Sequence, residues 1–338
     1  MAFAASPAIA NRIGADQFYF ANRHLIYVGL ALTAMFLSSF LTVDAIKRLS
    51  VLGMASVLIV LVVTLIHGAE YQGGRRWIRF GFINLQPSEF SKPFFVICSA
   101  WLFSLDRATR LRWPLVVQLA LLLCLISLLL AQPDIGQTAV VCAIWGAQFF
   151  MAGYNLLWVA GAGLLVISGF VVTIMLKPHA LDRIKRFTGD GDADTYQVQQ
   201  SLKAFGEGGW FGKGPGEGVI KALVPDVHAD FVFAAMGEEF GMIACILVVG
   251  FFAIIIIRGL VRLSSQDNMF LVLAGTGLLT QFGVQAAINM FTALNLMPTK
   301  GMTLPFISYG GSSMLGMALT MGLLLAISRR RPRRDSLV

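Results

Sequence analysis

The stretch Met242-Ile-Ala-Cys-Ile-Leu-Val-Val-Gly-Phe-Phe-Ala-Ile-Ile-Ile-Ile257 runs for sixteen residues without a charged side chain. Extended back to Phe231, it exceeds the roughly 17 to 25 mostly apolar residues that a membrane-spanning helix needs. Its apolar residues are continuous, so they are not the buried half of an amphipathic pattern. The sequence therefore predicts a membrane helix here.

The composition of the whole chain agrees with a membrane protein. Of its 338 residues, 57% are hydrophobic and 13% are charged, about half of the roughly 25% charge of a soluble domain. This excludes a soluble globule and predicts an all-α fold, a polytopic membrane helix bundle forming one integral membrane domain over residues 1–338. Nine stretches are predicted as spans: 24–42, 50–67, 90–105, 115–131, 138–153, 156–176, 231–257, 269–297 and 312–328.

Basic residues in the connections predict which side faces the cytoplasm. Twelve lie on one side, including five arginines in the basic cytoplasmic tail 329–338, and five lie in the short loops opposite. We interpret the tail as an orientation signal that contacts anionic lipid, not nucleic acid. Nine spans with a cytoplasmic tail place Met1 outside, and residues 1–23 carry no signal peptide, so we expect a first helix to precede this sequence.

The long loop 177–229 is predicted to be extracytoplasmic and functional, because it is far longer than ordinary connections. It lies between the spans that end near Leu176 and start near Phe231. Its tract Gly206-Glu-Gly-Gly-Trp-Phe-Gly-Lys-Gly-Pro-Gly-Glu-Gly218 matches neither a dinucleotide fingerprint nor a phosphate-binding P-loop. We interpret this glycine tract as backbone that can approach a ligand closely, with Lys213 as a mobile cation.

Acidic residues at the end of the long loop precede an apolar helix. Asp226 and Asp230 could each cap the positive end of that helix. Alternatively, one is a general base at the membrane surface, where a lipid-borne substrate would present its head group. Glu238 and Glu239 follow about two turns deeper, and they are interpreted either as hydrogen-bonding groups of the bundle or as catalytic groups.

The two other loops on this side supply cations and an irregular polar segment. Arg75 and Arg79 flank Trp77, which suits either a phosphate and sugar site or an ordinary interfacial belt. Glu89 and Lys92 are three residues apart and can pair on a helix. Residues 298–311 are kinked and rich in small side chains, and backbone of this kind at membrane depth is tolerated where it is buried or lines a cavity.

Several segments together resemble the SEDS family of bacterial cell-wall synthases (shape, elongation, division and sporulation), and the division members in particular. The matching segments run in order along nearly the whole chain: Gly74-Arg-Arg-Trp-Ile-Arg79, Gln86-Pro-Ser-Glu-Phe90, Gln132-Pro-Asp-Ile-Gly136, Tyr196-Gln-Val-Gln-Gln-Ser201, the glycine tract, His228-Ala-Asp-Phe231, Glu238-Glu-Phe-Gly241 and Leu304-Pro-Phe-Ile-Ser-Tyr-Gly-Gly-Ser-Ser313. The family has ten membrane helices with both ends in the cytoplasm. One departure is Ala229, where the family usually has threonine.

The resemblance implies a peptidoglycan glycosyltransferase that polymerises lipid II on the outer face of the bacterial cytoplasmic (inner) membrane at the division septum. Its expected partners are the nascent glycan strand, a class B penicillin-binding transpeptidase and other division proteins of the membrane. The family's essential aspartate maps onto Asp230, the expected general base. The expected substrate-binding residues are Arg75, Arg79, Glu89, Lys92, Asp134, Lys213, Lys300 and Ser308.

The cations would neutralise the undecaprenyl pyrophosphate as it departs, so a dedicated acid is not obligatory. Mg²⁺ or Mn²⁺ could assist at the pyrophosphate, but no ligand spacing in the sequence defines a metal site. Two other functions are consistent with a membrane protein of this kind. A flippase for lipid II predicts a polar path through the midplane and repeated broken helices, and a non-catalytic division scaffold predicts activity that depends on a partner and not on Asp230.

Overall fold

A computed structural model describes residues 18–71, 74–80, 83–109, 113–155, 161, 192–222, 227–298 and 301–329. The helices and strands in these ranges are α1 Tyr19–Ser39, α2 Val43–His67, β1 Ala69–Tyr71, β2 Gly74–Phe80, β3 Ile83–Leu85, α3 Pro87–Thr109, α4 Trp113–Ala131, α5 Ile135–Met151, α6 Asp192–Gly208, α7 Val232–Leu263, α8 Met269–Ala293 and α9 Gly311–Ser328.

Eight of the nine predicted spans coincide with helices of this structure. The ninth, 156–176, lies outside the described residues. Within the described ranges, α2, α4, α7, α8 and α9 are long and apolar enough to cross a bilayer, and α5 is a shorter apolar helix. The multi-pass helical architecture is thus confirmed, and the count of nine stays a prediction.

The centre of the bundle is formed by α8 and α9, which are mostly buried, whereas α2, α4 and α7 expose most of their apolar surface. The main core cluster contains Phe95, Phe103, Ile144 and Leu273, each fully buried. Exposed apolar side chains on the outer helices are ordinary in a membrane bundle, because lipid covers them. The burial pattern therefore separates an inner layer from a lipid-facing layer.

Contacts between helix ends sort the connections into two sides, as the charge pattern predicts. On one side, the Lys47 ammonium lies 4.5 Å from the ring centre of Phe270, and Arg262 Nε donates to Ser328 O at 2.8 Å. On the opposite side, Arg76 Nε donates to Gln132 O at 3.0 Å. The loops that carry the expected site residues share this second side.

A small three-stranded antiparallel sheet, in the order β1-β2-β3, corrects the all-α prediction. Trp77 pairs with Ala69, and Ile78 pairs with Leu85. Aromatic and branched residues favour strands, but the strands are too short for their alternation to stand out between two long apolar runs. The sheet positions Arg75 and Arg79 just before α3.

The helix α6 and the glycine tract cover the first turns of α7. Phe205 of α6 packs against Phe233, with ring centres 5.7 Å apart, and Ser201 Oγ donates to Ala293 O at 2.7 Å. Val198 and Phe205 are buried, so these two apolar side chains pack inside the protein. This arrangement ties the long loop to the start of α7 and the end of α8.

Candidate functional site

Asp230 lies in a turn directly before α7. The helix begins at Val232, its N-cap residue is Phe231, and that position makes no side-chain capping hydrogen bond. Asp230 is therefore one residue before the N-cap position of α7, and Asp226 lies outside the described residues. Asp230 is half-buried, and a Cβ added to Gly301 would lie 3.7 Å from its Oδ2 atom. The carboxylate thus faces the irregular loop that precedes α9.

Three consecutive main-chain carbonyls hold this turn in place. His228 O accepts from Tyr309 N at 2.8 Å, and Ala229 O accepts from Ser308 Oγ at 2.6 Å. Asp230 O accepts from Asn289 Nδ2 at 2.9 Å. We call these three hydrogen bonds the carbonyl clamp. It fixes the backbone under the Asp230 carboxylate from two other elements, the pre-α9 loop and α8.

Two clamp residues are themselves anchored. Asn289 Nδ2 also donates to Met302 O at 2.7 Å, so one buried amide connects the Asp230 turn to the pre-α9 loop. Ser308 Oγ accepts from Leu304 N at 2.8 Å. Because the Ser308 hydroxyl both donates and accepts within the protein, the structure gives it a positioning contact, and its expected substrate contact stays a prediction.

An aromatic group adjoins the clamp. The Tyr309 ring centre lies 5.4 Å from that of His228, 6.1 Å from that of His24 and 6.4 Å from that of Tyr27. Burial raises the pKa of the Tyr309 phenol, and the nearby Arg23 guanidinium opposes that rise. Sugars can stack on aromatic rings, so an aromatic group next to the Asp230 turn is compatible with a carbohydrate head group.

A second polar cluster, buried between α3, α5 and α8, contains two of the expected substrate residues. Lys92 Nζ donates to Glu89 Oε2 at 2.7 Å and to Gln285 Oε1 at 2.6 Å, and Gln137 Nε2 donates to Glu89 Oε1 at 2.6 Å. The Lys92 side chain is fully enclosed. Gln285 Nε2 continues the network to Ser313 Oγ at 3.2 Å. This cluster joins α3, α5, α8 and α9.

Asp134 is the N-cap residue of α5, and its carboxylate accepts from Gln137 N at 3.4 Å. Gln86 Nε2 donates to Asp134 Oδ2 at 3.4 Å. Burial raises the pKa of the Asp134 carboxyl, and the Arg76 charge opposes that rise. The structure therefore gives Asp134 a capping role, and its expected substrate contact stays a prediction.

The remaining expected cations lie at different places. Arg75 is exposed, donates to Ile66 O at 3.0 Å and pairs with Glu70 at 3.8 Å. Arg79 is exposed on β2. Lys213 pairs with Glu207, and this ammonium holds the pKa of the Glu207 carboxyl below its usual range. Lys300 lies outside the described residues.

Glu238 and Glu239 bind the long loop. Glu238 accepts from the backbone N–H groups of Ile220 and Lys221, both at 2.8 Å, and Glu239 pairs with the Lys221 ammonium. All three charged residues are buried. These contacts favour a structural role for the two glutamates over a catalytic one. Their partners belong to the long loop and not to other helices of the bundle.

Sequence reasoning missed the amides of α8. Gln281, Gln285 and Asn289 recur every four residues within an apolar stretch, and all are buried. Residues four apart share one helix face, so this spacing is a signal for a polar face inside the bundle. No sequence pattern marked Lys221 as a functional residue, because it meets Glu238 and Glu239 only after the long loop has folded against α7.

The family model that describes the cell cycle proteins FtsW, RodA and SpoVE matches residues 1–333. The chain belongs to this family, which confirms the resemblance found in the sequence. Its curated relatives include proteins named "Probable peptidoglycan glycosyltransferase FtsW". The protein from Caulobacter vibrioides is 39% identical over 333 residues, covering 98% of this chain and 85% of the relative. That from Trichlorobacter lovleyi is 35% identical, covering 97% and 88%.

Solved structures agree with this assignment. One chain belongs to work described as "Structural coordination of polymerization and crosslinking by a peptidoglycan synthase complex". It has a TM-score of 0.78 and 25% identity, covering 97% of this chain and 94% of its own. The rod shape determining protein RodA of Thermus thermophilus has a TM-score of 0.70 and 25% identity, covering 97% and 93%.

Proposed function

We propose that this protein is a peptidoglycan glycosyltransferase that polymerises lipid II during cell division. The observation that carries the proposal is the Asp230 carboxylate, held by the carbonyl clamp beside an aromatic group in a chain of this family. A catalytic base needs a fixed position relative to the proton that it removes. Three hydrogen bonds to consecutive peptide groups supply that fixed position.

In the proposed reaction, Asp230 accepts the proton of the 4-hydroxyl of the acceptor N-acetylglucosamine. The hydroxyl oxygen attacks the anomeric carbon of the growing strand, and the bond from that carbon to the pyrophosphate oxygen breaks. Undecaprenyl pyrophosphate departs with the bonding electron pair. Positive charge near this group stabilises the transition state, and Arg75, Arg79, Lys213 and Lys300 are the proposed sources.

The other four expected substrate residues are proposed to act indirectly, by holding the helices and loops around the substrate in position. Glu89 and Lys92 form the buried pair, so their proposed contribution is to hold α3 and α8 around the head-group site. Asp134 and Ser308 would orient the surrounding loops. Direct contact of any of these four with lipid II is a further proposal.

Mg²⁺ or Mn²⁺ at the pyrophosphate is proposed only as an assisting ion. Among the described residues, no group of three or more histidine, cysteine, aspartate or glutamate side chains lies together to hold a metal. Mg²⁺ is often bound by one or two carboxylates and substrate phosphates, so the substrate would have to supply most ligands. Polymerisation measured across a magnesium titration after EDTA treatment tests this ion.

The proposed partner is a class B penicillin-binding transpeptidase, with other division proteins of the membrane, in the inner membrane at the septum. The similar structure is described as a complex that coordinates polymerisation and crosslinking, which supports a partner of this kind. Co-purification with the transpeptidase and fluorescence microscopy of dividing cells test the partner and the location.

Polymerisation of purified lipid II by the full-length protein with its transpeptidase tests the function. We expect Asp230→Asn to reduce the rate by about 10²- to 10⁴-fold, the range of general-base contributions. The matched control is Asp267→Asn, which changes an exposed aspartate between α7 and α8 at the opposite end of the bundle. Normal glycan chains from folded Asp230→Asn protein would refute the assignment.

A further inference from the structure

The helix α7 is interrupted at Gly241, where φ is 78° and ψ is 179°. The glycine tract fills the interruption with its own backbone. Lys213 N and Gly214 N each donate at 3.0 Å, to Glu238 O and Glu239 O respectively. In return, Met242 N donates to Gly209 O at 2.9 Å and Ile243 N donates to Trp210 O at 3.3 Å. These hydrogen bonds fix the tract beside residues 238–243 of α7.

The burial of α7 changes at the same level. Residues 231–239 are buried on every side, whereas exposed apolar side chains begin at Phe240 and continue to Val261. The 18 residues from 240 to 257, the last residue before Arg258, span about 27 Å at 1.5 Å per residue, close to the roughly 30 Å hydrocarbon core of a bilayer. The exposed face of α7 is therefore the lipid-facing surface, and it ends at the interruption.

Trp210 and Phe211 lie at this end of the lipid-facing surface. Their side chains are 65% and 84% exposed, although both are large and apolar. The hydrogen bond from Ile243 N to Trp210 O places them beside Gly241. The charged pair Glu207 and Lys213 flanks them. Aromatic residues between an apolar face and charged residues are typical of the boundary between head groups and acyl chains.

We propose that Trp210 and Phe211 insert into the membrane leaflet on the Asp230 side, which the charge pattern makes the outer leaflet. Lipid is the proposed occupant because the two rings lie directly at the end of the lipid-facing surface of α7 and extend that surface. A ring pair of this kind anchors a loop at the interface. Since Glu238, Glu239 and Lys221 bind the same loop to α7, the anchor fixes the depth of the first turns of α7, about 14 Å from Val232 to Gly241.

Site-directed spin labelling in nanodiscs of phosphatidylglycerol and phosphatidylethanolamine tests the anchor. Cys98, Cys124, Cys142 and Cys245 are free and are changed to alanine. Labels are then placed by Phe211→Cys, by Leu247→Cys on the lipid-facing surface of α7, and by Glu217→Cys at an exposed polar position of the glycine tract. Accessibility to oxygen and to a soluble nickel complex is measured for each label.

We expect the label at 211 to resemble that at 247, with higher accessibility to oxygen than to nickel, and the label at 217 to show the opposite order. A label at 211 that nickel reaches as well as at 217 overturns the proposal. A label at 211 that loses access to both reagents only when the transpeptidase is added also overturns it, because a protein partner then covers the surface.

A second measurement avoids the cysteine changes. Brominated lipids quench tryptophan fluorescence at the depth of the bromine, so the component of fluorescence that disappears in Trp210→Phe is compared in plain and brominated bilayers. We expect shallow bromines to quench this component at least twofold. Unchanged intensity of that component in every brominated lipid contradicts insertion.

Discussion

At the scale of single residues, Asn289 has the clearest consequence for the site. Its amide uses both hydrogens, one on Asp230 O and one on Met302 O. Removing a donor from a buried carbonyl costs about 1–3 kcal/mol per group. Asn289 is therefore a positioning residue, because its hydrogen bond to Asp230 O fixes the backbone that carries the Asp230 carboxylate.

We predict that Asn289→Leu lowers kcat for lipid II polymerisation at least tenfold, because the Asp230 turn loses one hydrogen bond of the carbonyl clamp. The matched control is Gln281→Leu, which removes a buried amide two turns away on α8 that donates to Thr320 at 2.9 Å. Steady-state kinetics of both variants separate the two effects. Equal losses of activity in the two variants would show that the effect is one of stability alone.

The buried pair Glu89 and Lys92 leads to a prediction about stability. Breaking a buried ion pair by removing one partner typically costs 3–5 kcal/mol, so we expect Lys92→Met to lower the free energy of unfolding by about that amount. The double variant Glu89→Gln, Lys92→Met should recover part of the loss. Lys213→Met, which breaks an exposed pair, is the control and should leave unfolding unchanged.

Unfolding in mixed detergent micelles, followed by thermal scans, measures these variants. If Lys92→Met is as stable as the Lys213→Met control, the pair does not hold the helices together. In that case Lys92 would not have a structural role, and direct binding of its ammonium group to the substrate would become the better explanation for its presence.

At the scale of elements, the contact between the glycine tract and α7 depends on the absence of side chains. A Cβ at Gly212, where φ is +79°, would lie 2.2 Å from Glu239 O. Gly216 has φ +88° but nothing within 4 Å of its Cβ position. We predict that Gly212→Ala detaches the tract, while Gly216→Ala adds only backbone strain of about 1–2 kcal/mol.

Hydrogen exchange of the Met242 and Ile243 amides measures this detachment, because both donate to the tract. Exchange at these two amides should accelerate at least tenfold in Gly212→Ala and much less in Gly216→Ala. Similar exchange in the two variants would mean that conformational freedom, and not close approach, explains the glycine at position 212.

The elements also show how far sequence reasoning extends. The pattern predicted eight of the described helices closely, because long apolar runs dominate their composition. It interpreted the glycine tract as backbone that approaches a ligand, whereas the tract approaches the backbone of α7. Nothing in the local sequence distinguishes these two outcomes, because the partners of the tract lie 25 to 33 residues further along the chain.

At the scale of the whole molecule, the sequence predicted the side on which the site forms but not how the site is held. Asp230 was identified from its position and from the family resemblance. The carbonyl clamp requires Asn289, Ser308 and Tyr309, which lie 59, 79 and 81 residues from their respective partners. Such contacts depend on the packing of α8 and the pre-α9 loop, and local patterns carry no information about them.

The carbonyl clamp also explains a tolerance in the chain. Each of its acceptors is a peptide oxygen, which every amino acid provides, so the hydrogen bond from Ser308 to Ala229 O does not depend on the side chain at position 229. Alanine can therefore occupy position 229, where the family resemblance leads us to expect threonine, without loosening the turn. The same property makes position 229 a suitable place for a fluorescent or cross-linking side chain next to the reacting groups.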